Sequence, residues 1–316
     1  AGKKIVVIGS GATAVTLIPA LANSGAGHVT MLQRSPTYIG ALPDVDPFTV
    51  RTNKTLPAKP AYVLNRWKSI LFQFIQYRIS RRFPNFMRKT LMTMAQRRLP
   101  EGYDVQKHFG PHYNPWDQRL CLVPSGDLFR AIRHGQAEVV TDTIERFTPT
   151  GIRLNSGQEL PADIIITATG LNLQLFGGAS VSVDGQPADL TKTMAYKGMM
   201  LSGLPNMIYT VGYTNASWTL KADLVSEFVC RVLNYMDSHG YDTVVPQHPG
   251  GSVDERPLMD FTPGYVLRAL DYLPKAGSVP PWRLKQNYLL DLQLIRRGRV
   301  DDEALQFARK PAVLAV

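Results

Sequence analysis

The sequence predicts an α/β protein that begins with a parallel strand–helix–strand unit, and three adjacent stretches carry that prediction. Lys4 to Ile8 (KIVVI) is a short apolar run rich in β-branched residues, as a buried strand requires. Ala12 to Asn23 repeats apolar residues at helical spacing, and His28 to Arg34 (HVTMLQR) reads as a second strand. Pro19 removes one hydrogen bond from the helix, so it is expected to kink it or to fall in its last turns.

The elements that follow are read in order. Gly40 to Pro60 contains four prolines and reads as loop. Residues 61–82 and 86–98 read as two helices separated at Pro84. In the first, Val63, Trp67, Ile70, Leu71, Phe74 and Ile75 recur at helical spacing among Arg66, Lys68, Arg78, Arg81 and Arg82. An aromatic, proline-rich loop (YNPWDQR, 113–119) leads to a helix over about 126–134, with Ser125 as its cap. Four short strands then follow (AEVV, TIERF, IRL, ADIIITA), two of them joined by the Asn155-Ser156-Gly157 turn, as in an antiparallel meander. NMIYTVGY (206–213) reads as a further strand and 220–237 as a strongly periodic helix. The last stretch mixes a Gly/Pro loop (246–263) with helical pieces that include DYL and NYLLDLQLIRRG.

Composition bounds the function. With 316 residues, 44% of them hydrophobic, the chain is long enough for two packed domains. Cys121 and Cys230 stand far apart, which argues against a disulfide framework and against a thiolate zinc site, and makes a reducing cytoplasm the default. No apolar run is long enough to span a bilayer, and no secretion signal is visible. The net charge of +10 is concentrated: residues 47–100 hold twelve Lys or Arg and no Asp or Glu. That segment can lie on an anionic membrane surface. Packing of its apolar stripe on the neighbouring domain is favoured, because such stripes are usually core. No recognised nucleic-acid module accompanies the charge.

Between the first strand and helix, Gly9-Ser10-Gly11-Ala12-Thr13-Ala14 fits G-x-G-x-x-A, the turn that binds a dinucleotide. Gly9 permits the tight turn, Gly11 lets the backbone approach a pyrophosphate at the helix N-terminus, and Ala14 lets helix and strand pack closely. The second strand ends in Gln33-Arg34-Ser35 rather than in a carboxylate, and the guanidinium and hydroxyl of Arg34 and Ser35 suit the 2′-phosphate of NADP.

IGSGATA, LQRSP, YNPWDQR, DIIITATG and GYTNASWTLKADL, in that order, resemble the flavin-containing Baeyer–Villiger monooxygenases, in particular the branch of ethionamide-activating mycobacterial enzymes. The resemblance covers nearly the full chain. It implies a Rossmann-like NADP-binding domain with an antiparallel meander over 1–160, carrying the basic helical insert at about 60–100. It also implies the return portion of an FAD-binding domain over 161–240 and a C-terminal loop and helical extension over 241–316. The activity implied uses NADPH, FAD and O2 and passes through a C4a-peroxyflavin. That species attacks ketones, or oxygenates sulfides or thioamides, with the flavin carrying the chemistry.

By the same resemblance Arg119 faces the flavin and stabilises a buried anion. Gln118 stands where many relatives place a phosphate-binding lysine. Ala168, Thr169 and Gly170 end a strand at the hinge between the two dinucleotide domains, and Asn215, with Ala216, Ser217 and Trp218, passes near the flavin. The chain shows one glycine turn where such enzymes have two, and it lacks their F-x-G-x-x-x-H-x-x-x-W fingerprint. It is therefore expected to be the C-terminal part of a monooxygenase, inactive alone and weak in NADP binding. Its Ala1-Gly2-Lys3-Lys4 start fits that expectation.

Weaker signals are weighed and set aside. His108 and His112 have HxxxH spacing, but Gly110 and Pro111 between them oppose a helical metal site. Asp301-Asp302-Glu303 reads as charge at a helix start. The alternatives to the monooxygenase are a flavin-free NADP reductase and a non-catalytic NADP-binding module associated with a membrane surface. No Tyr-x-x-x-Lys pair supports the reductase.

Overall fold

The computed structural model describes residues 1–118, 120–259 and 262–309, and these divide into two compact units, 1–171 and 172–316. In the first unit, β1 (Lys4–Ile8), α1 (Ala12–Asn23) and β2 (His28–Gln33) form the parallel unit that the sequence predicts. Pro19 lies inside α1 and is buried. A parallel sheet of order β5-β2-β1-β9 is completed by β5 (Ala137–Thr141) and β9 (Ile164–Thr167).

Alternation along β1 and β2 builds a core on each face, as a period of two requires. Ile5, Val7, Val29 and Met31 face α1 and the helix over residues 127–133, where they meet Ala14, Val15, Ile18, Leu128 and Phe129. Val6 and Leu32 face the other way, against Ile152, Leu154 and Leu160 of the meander.

Between β2 and β5 the chain makes a long excursion. It leaves through β3 (Ile39–Leu42), passes through α2 (Pro47–Thr55), α3 (Ala58–Arg82), α4 (Pro84–Gln96) and α5 (Val105–Phe109), and returns through β4 (Cys121–Pro124). β3 and β4 pair in parallel and close the neck of the insert.

The loop expected over 40–60 is thus a strand and a helix. The helix was legible: Asp46 accepts the Phe48 N–H at 3.2 Å as its cap, and Pro47 occupies the first helical position, where its missing N–H costs nothing. The strand was not, because its partner lies some eighty positions later.

Expected packing of the α3 stripe is also corrected. Of Val63, Trp67, Ile70, Leu71, Phe74 and Ile75, only Ile70 is buried, and Trp67, Leu71 and Ile75 are 39, 45 and 52% exposed. Along α3 only Ala61, Ile70 and Ser80 are buried, and at about 3.6 residues per turn these do not share one face.

α6 (Asp127–Arg133) is capped by Gly126 in a left-handed conformation; the hydroxyl of Ser125, the expected cap, donates instead to Asp44 Oδ1 at 2.9 Å. The meander is β6 (Ile144–Thr148), β7 (Gly151–Leu154) and β8 (Glu159–Pro161). Residues 155–157 therefore turn β7 into β8, a three-residue strand, rather than into β9.

The second unit carries two hairpins, β10 (Ser182–Val183) with β11 (Gln186–Pro187) and β12 (Ala195–Tyr196) with β13 (Met200–Leu201), followed by α7 (Trp218–His239). Residues 206–213, expected as a strand, join no sheet among the described residues; Tyr209 N–H reaches Met199 O at 2.8 Å. A strand is defined by its neighbours, and this segment has none there.

The expected helical extension is mixed. β14 (Thr243–Pro246), β15 (Glu255–Pro257), α8 (Gly264–Leu267), β16 (Lys275–Gly277), α9 (Tyr288–Asp291) and β17 (Leu305–Ala308) follow, with β14 paired to β17 and β15 to β16. DYL (271–273) is turn rather than helix. Asp301-Asp302-Glu303 precedes β17 and starts no helix. Asp302 accepts bonds from Tyr196 Oη at 2.5 Å and Lys197 Nζ at 2.9 Å.

A second buried lysine, Lys221 of α7, lies 2.9 Å from Asp291 Oδ2, which also accepts the Tyr213 hydroxyl at 2.7 Å. Burial and the Asp291 carboxylate push the Tyr213 phenol well above its ordinary range, so it stays a donor. Removing one member of a buried pair strands the other charge, at about 3–5 kcal/mol. Asp291→Ala is expected to lower unfolding free energy by about that amount in urea titrations, and the double change Lys221→Met, Asp291→Leu to recover most of it.

Candidate functional site: the glycine turn at the carboxyl edge of the parallel sheet

The turn after β1 is shaped by its neighbours on both sides. Gly9 N–H donates to Leu32 O on β2, and Ala168 N–H donates to Ile8 O, each at 2.8 Å. Gly9 has φ +135°, and a Cβ there would sit 2.3 Å from the carbonyl oxygen of Ala168. Glycine is required on both counts. Ala168 of the ATG segment is therefore brought against the turn itself, while Thr169 is exposed and Gly170 takes φ +102°.

Gly11 is needed for a different reason. Its φ and ψ of −79° and −175° are open to any residue, but nothing lies within 4 Å of where its Cβ would point. The space in front of it is open. Helix α1 starts there with no side-chain cap and no acidic residue in its first turn, so the N–H groups of Ala12, Thr13 and Ala14 face outward without intrahelical partners. With the positive end of the helix dipole, such groups can hold an anion in a cradle. Ala14 is fully buried in the sheet–helix core, where a larger side chain would separate α1 from β1.

The end of β2 lies beside this cradle. Ser10 Oγ donates to Ser35 O at 3.1 Å and lies 3.0 Å from Thr37 Oγ1, so its hydroxyl ties the two loops together. Arg34 and Ser35 are exposed. Gln33 points inward instead: its amide donates at 2.8 Å to both His108 O and Thr141 Oγ1, joining β2 to α5 and β5. This linking role escaped the sequence reading, because nothing in a strand-end Gln distinguishes inward from outward. Burial lowers the pKa of His108, whose Nδ1 is 2.9 Å from Thr141 Oγ1. No group of three or more metal-ligating side chains occurs among the described residues.

The remaining sites fall elsewhere. Gln118 is half-buried at the end of the 113–118 loop, in a bridge with Pro115. Arg119 lies outside the described residues. Asn215 belongs to the second unit, where its Nδ2 donates to Gln286 O at 2.9 Å and the neighbouring Thr214 N–H donates to Gln286 Oε1 at 2.9 Å.

Sequence comparison draws these features together. The FAD-containing monooxygenase EthA of Mycobacterium tuberculosis is 72% identical over 314 residues, 99% of this chain and 64% of that protein. The chain is homologous to the FAD-containing monooxygenases. The probable FAD-binding monooxygenase AlmA of Acinetobacter baylyi is 49% identical over 310 residues, 98% of this chain and 62% of AlmA. The chain thus spans somewhat under two thirds of these relatives. No protein-family model matches it.

Among solved structures, steroid monooxygenase bound to NADP superposes with a TM-score of 0.68 at 17% identity, over 98% of this chain and 67% of that one. Cyclohexanone monooxygenase gives 0.59 at 16% identity, over 98% and 67%. At these identities the likeness is one of fold.

The two glycines separate by experiment. Gly9→Ala is expected to cost several kcal/mol, from positive φ and the clash with Ala168, and to lower the thermal midpoint in circular dichroism. Gly11→Ala, with open space and an ordinary backbone, is expected to melt within about 2 °C of the wild type.

Proposed function

We propose that this chain contributes the NADP-binding part of an NADPH- and FAD-dependent monooxygenase of Baeyer–Villiger type, acting on ketones, sulfides or thioamides with O2. The observation that carries the reading is the open, uncapped glycine turn beside Arg34 and Ser35, in a chain 72% identical to an FAD-containing monooxygenase. The described residues contain one such turn, and a second strand that runs into Arg34 rather than into a carboxylate favours NADP as its occupant.

In this reading the N–H groups of Ala12 to Ala14 bind the pyrophosphate, and Gly11 gives it room. The Arg34 guanidinium pairs with the 2′-phosphate, where a carboxylate would repel it. Ser10 keeps the two loops in register. FAD, when bound, supplies the redox chemistry between nicotinamide and O2. Arg119, by the family resemblance, would add a cation that offsets negative charge developing there.

Binding tests the nucleotide assignment without turnover. Calorimetric titration should show 2′,5′-ADP binding about tenfold tighter than 5′-AMP, with Arg34→Ala abolishing that ratio and leaving 5′-AMP unchanged. Equal affinities in the wild type would sink the NADP reading.

A second reading concerns the insert. Leu71, Phe72, Ile75 and Phe86 are 45–62% exposed on helices whose segment holds twelve cations and no acid, the composition that suits an anionic bilayer surface. No described helix is long and apolar enough to cross a membrane. Co-sedimentation is expected with vesicles containing anionic lipid and not with neutral ones, and to fall as salt rises. Binding indifferent to lipid charge would refute the contact.

A further inference from the structure

The segment after β2 is fastened on both sides of two exposed residues. Its carbonyl groups accept donors from the glycine turn, from the end of β5 and from β4: Leu32 O from Gly9 N–H at 2.8 Å, Gln33 O from Asp142 N–H at 2.9 Å, Ser35 O from Ser10 Oγ at 3.1 Å, and Tyr38 O from Cys121 N–H at 2.9 Å. Thr37 Oγ1 lies 3.0 Å from the same Ser10 hydroxyl. Pro36 is buried, and its ring fixes φ in the middle of the segment. Within 33–38, Arg34 and Ser35 are the exposed residues.

The deepest fastening is the side chain of Gln33. It is 2% exposed, and its amide donates at 2.8 Å to both His108 O and Thr141 Oγ1, while His108 Nδ1 is 2.9 Å from that same hydroxyl oxygen. Burying an amide is costly unless it is hydrogen-bonded, and an aliphatic side chain would fill the place without that cost. The amide sits directly before Arg34, and the Ser10–Thr37 contact lies just beyond Ser35. A guanidinium on a backbone held in this way has only its own side chain to order when it binds an anion; one on a loose loop must order the loop as well.

We propose that Gln33, Thr37 and Thr141 are positioning residues for nucleotide selection: with Ser10 they form a bracket that holds Arg34 and Ser35 at the spacing from the start of α1 that the 2′-phosphate of a bound adenosine requires. The inference rests on the NADP reading given above and concerns the 2′-phosphate alone. The bracket acts on the choice between a 2′-phosphate and a 2′-hydroxyl, and leaves affinity for the rest of the nucleotide as it is. A role confined to fastening β2 to β5 would move the thermal midpoint and not that choice.

The test is calorimetric titration of the full-length, flavin-loaded protein with 2′,5′-ADP and with 5′-AMP, read as the ratio of the two dissociation constants, with the thermal midpoint as a check on folding. Thr141→Val and Thr37→Val each remove a hydroxyl and nearly keep the shape; Thr141→Ser and Thr37→Ser keep the hydroxyl. Expected is a preference for 2′,5′-ADP that falls from about tenfold to about threefold or less in both valine variants, at unchanged 5′-AMP affinity, and that returns in the serine variants. Gln33→Met is expected to lower the ratio further, toward that of Arg34→Ala. Should Gln33→Met fail to fold, Thr37→Val, on a half-buried side chain, decides by the same ratio.

A wild-type ratio in both valine variants, with the preference lost in Arg34→Ala, overturns the bracket. So does an equal weakening of both nucleotides, which marks a general distortion. A preference that survives in Arg34→Ala overturns instead the assignment of Arg34 to the 2′-phosphate, and a wild-type protein with no preference fails the NADP reading itself.

Discussion

The first unit depends on one close approach, that of Gly9 to the carbonyl of Ala168. Strands β1 and β9 are neighbours in a parallel sheet, and the chain must leave β1 sharply while β9 ends beside it. There is room for a hydrogen atom at Gly9 and for nothing larger. The placement of α1 follows from that turn, because the turn aims the helix N-terminus across the carboxyl edge of the sheet. The same turn brings the loops after β1 and β2 within reach of the Ser10–Ser35 bond. A feature needed for packing thereby also sets the uncapped start of α1.

The insert divides its work by face. The sides of α3 and α4 that carry Tyr77, Arg81 and Arg88 reach the 113–118 loop, while Trp67, Leu71, Phe72 and Ile75 remain in contact with solvent in this chain. A segment with no acidic residue cannot neutralise itself, so its cations find partners beyond it or at its margin, among them Asp46, Asp117 and the main-chain carbonyl of Tyr113. Lys68 pairs with Asp46 at 2.5 Å and, with Thr49, holds that carboxyl down at about 2. The charge imbalance visible in composition is thus partly a set of tethers.

The second unit buries two lysines. Lys197 and Lys221 each face one carboxylate, Asp302 and Asp291, and each of these also accepts a tyrosine hydroxyl. Burying a charge is costly unless it is paired and hydrogen-bonded, which makes these contacts specific in register even where their net stabilisation is small. They fasten the segments at 196–197 and 213–221 to 291 and 302. The 206–213 stretch, lacking strand partners among the described residues, is held at Asn206, Tyr209 and Tyr213.

The sequence by itself determined what rests on local pattern. The parallel unit at the start, the glycine turn, the β6–β7 pair of the meander, helix α7 and the family resemblance were legible, because periodicity, turn chemistry and motif order lie within a few residues of each other. Even α2 was announced by Asp46-Pro47, although the prolines around it masked the signal. Tertiary structure decided what depends on distant partners. β3 exists because β4 returns beside it, and β14 because β17 does. Ser125 abandoned its cap for Asp44, and Asp302 turned from a supposed helix start to Lys197. The insert shows the limit most clearly. Its helices and charge could be read residue by residue, but which face would be buried could not, since apolar periodicity records that a stripe exists and only the assembled chain decides what, if anything, lies against it.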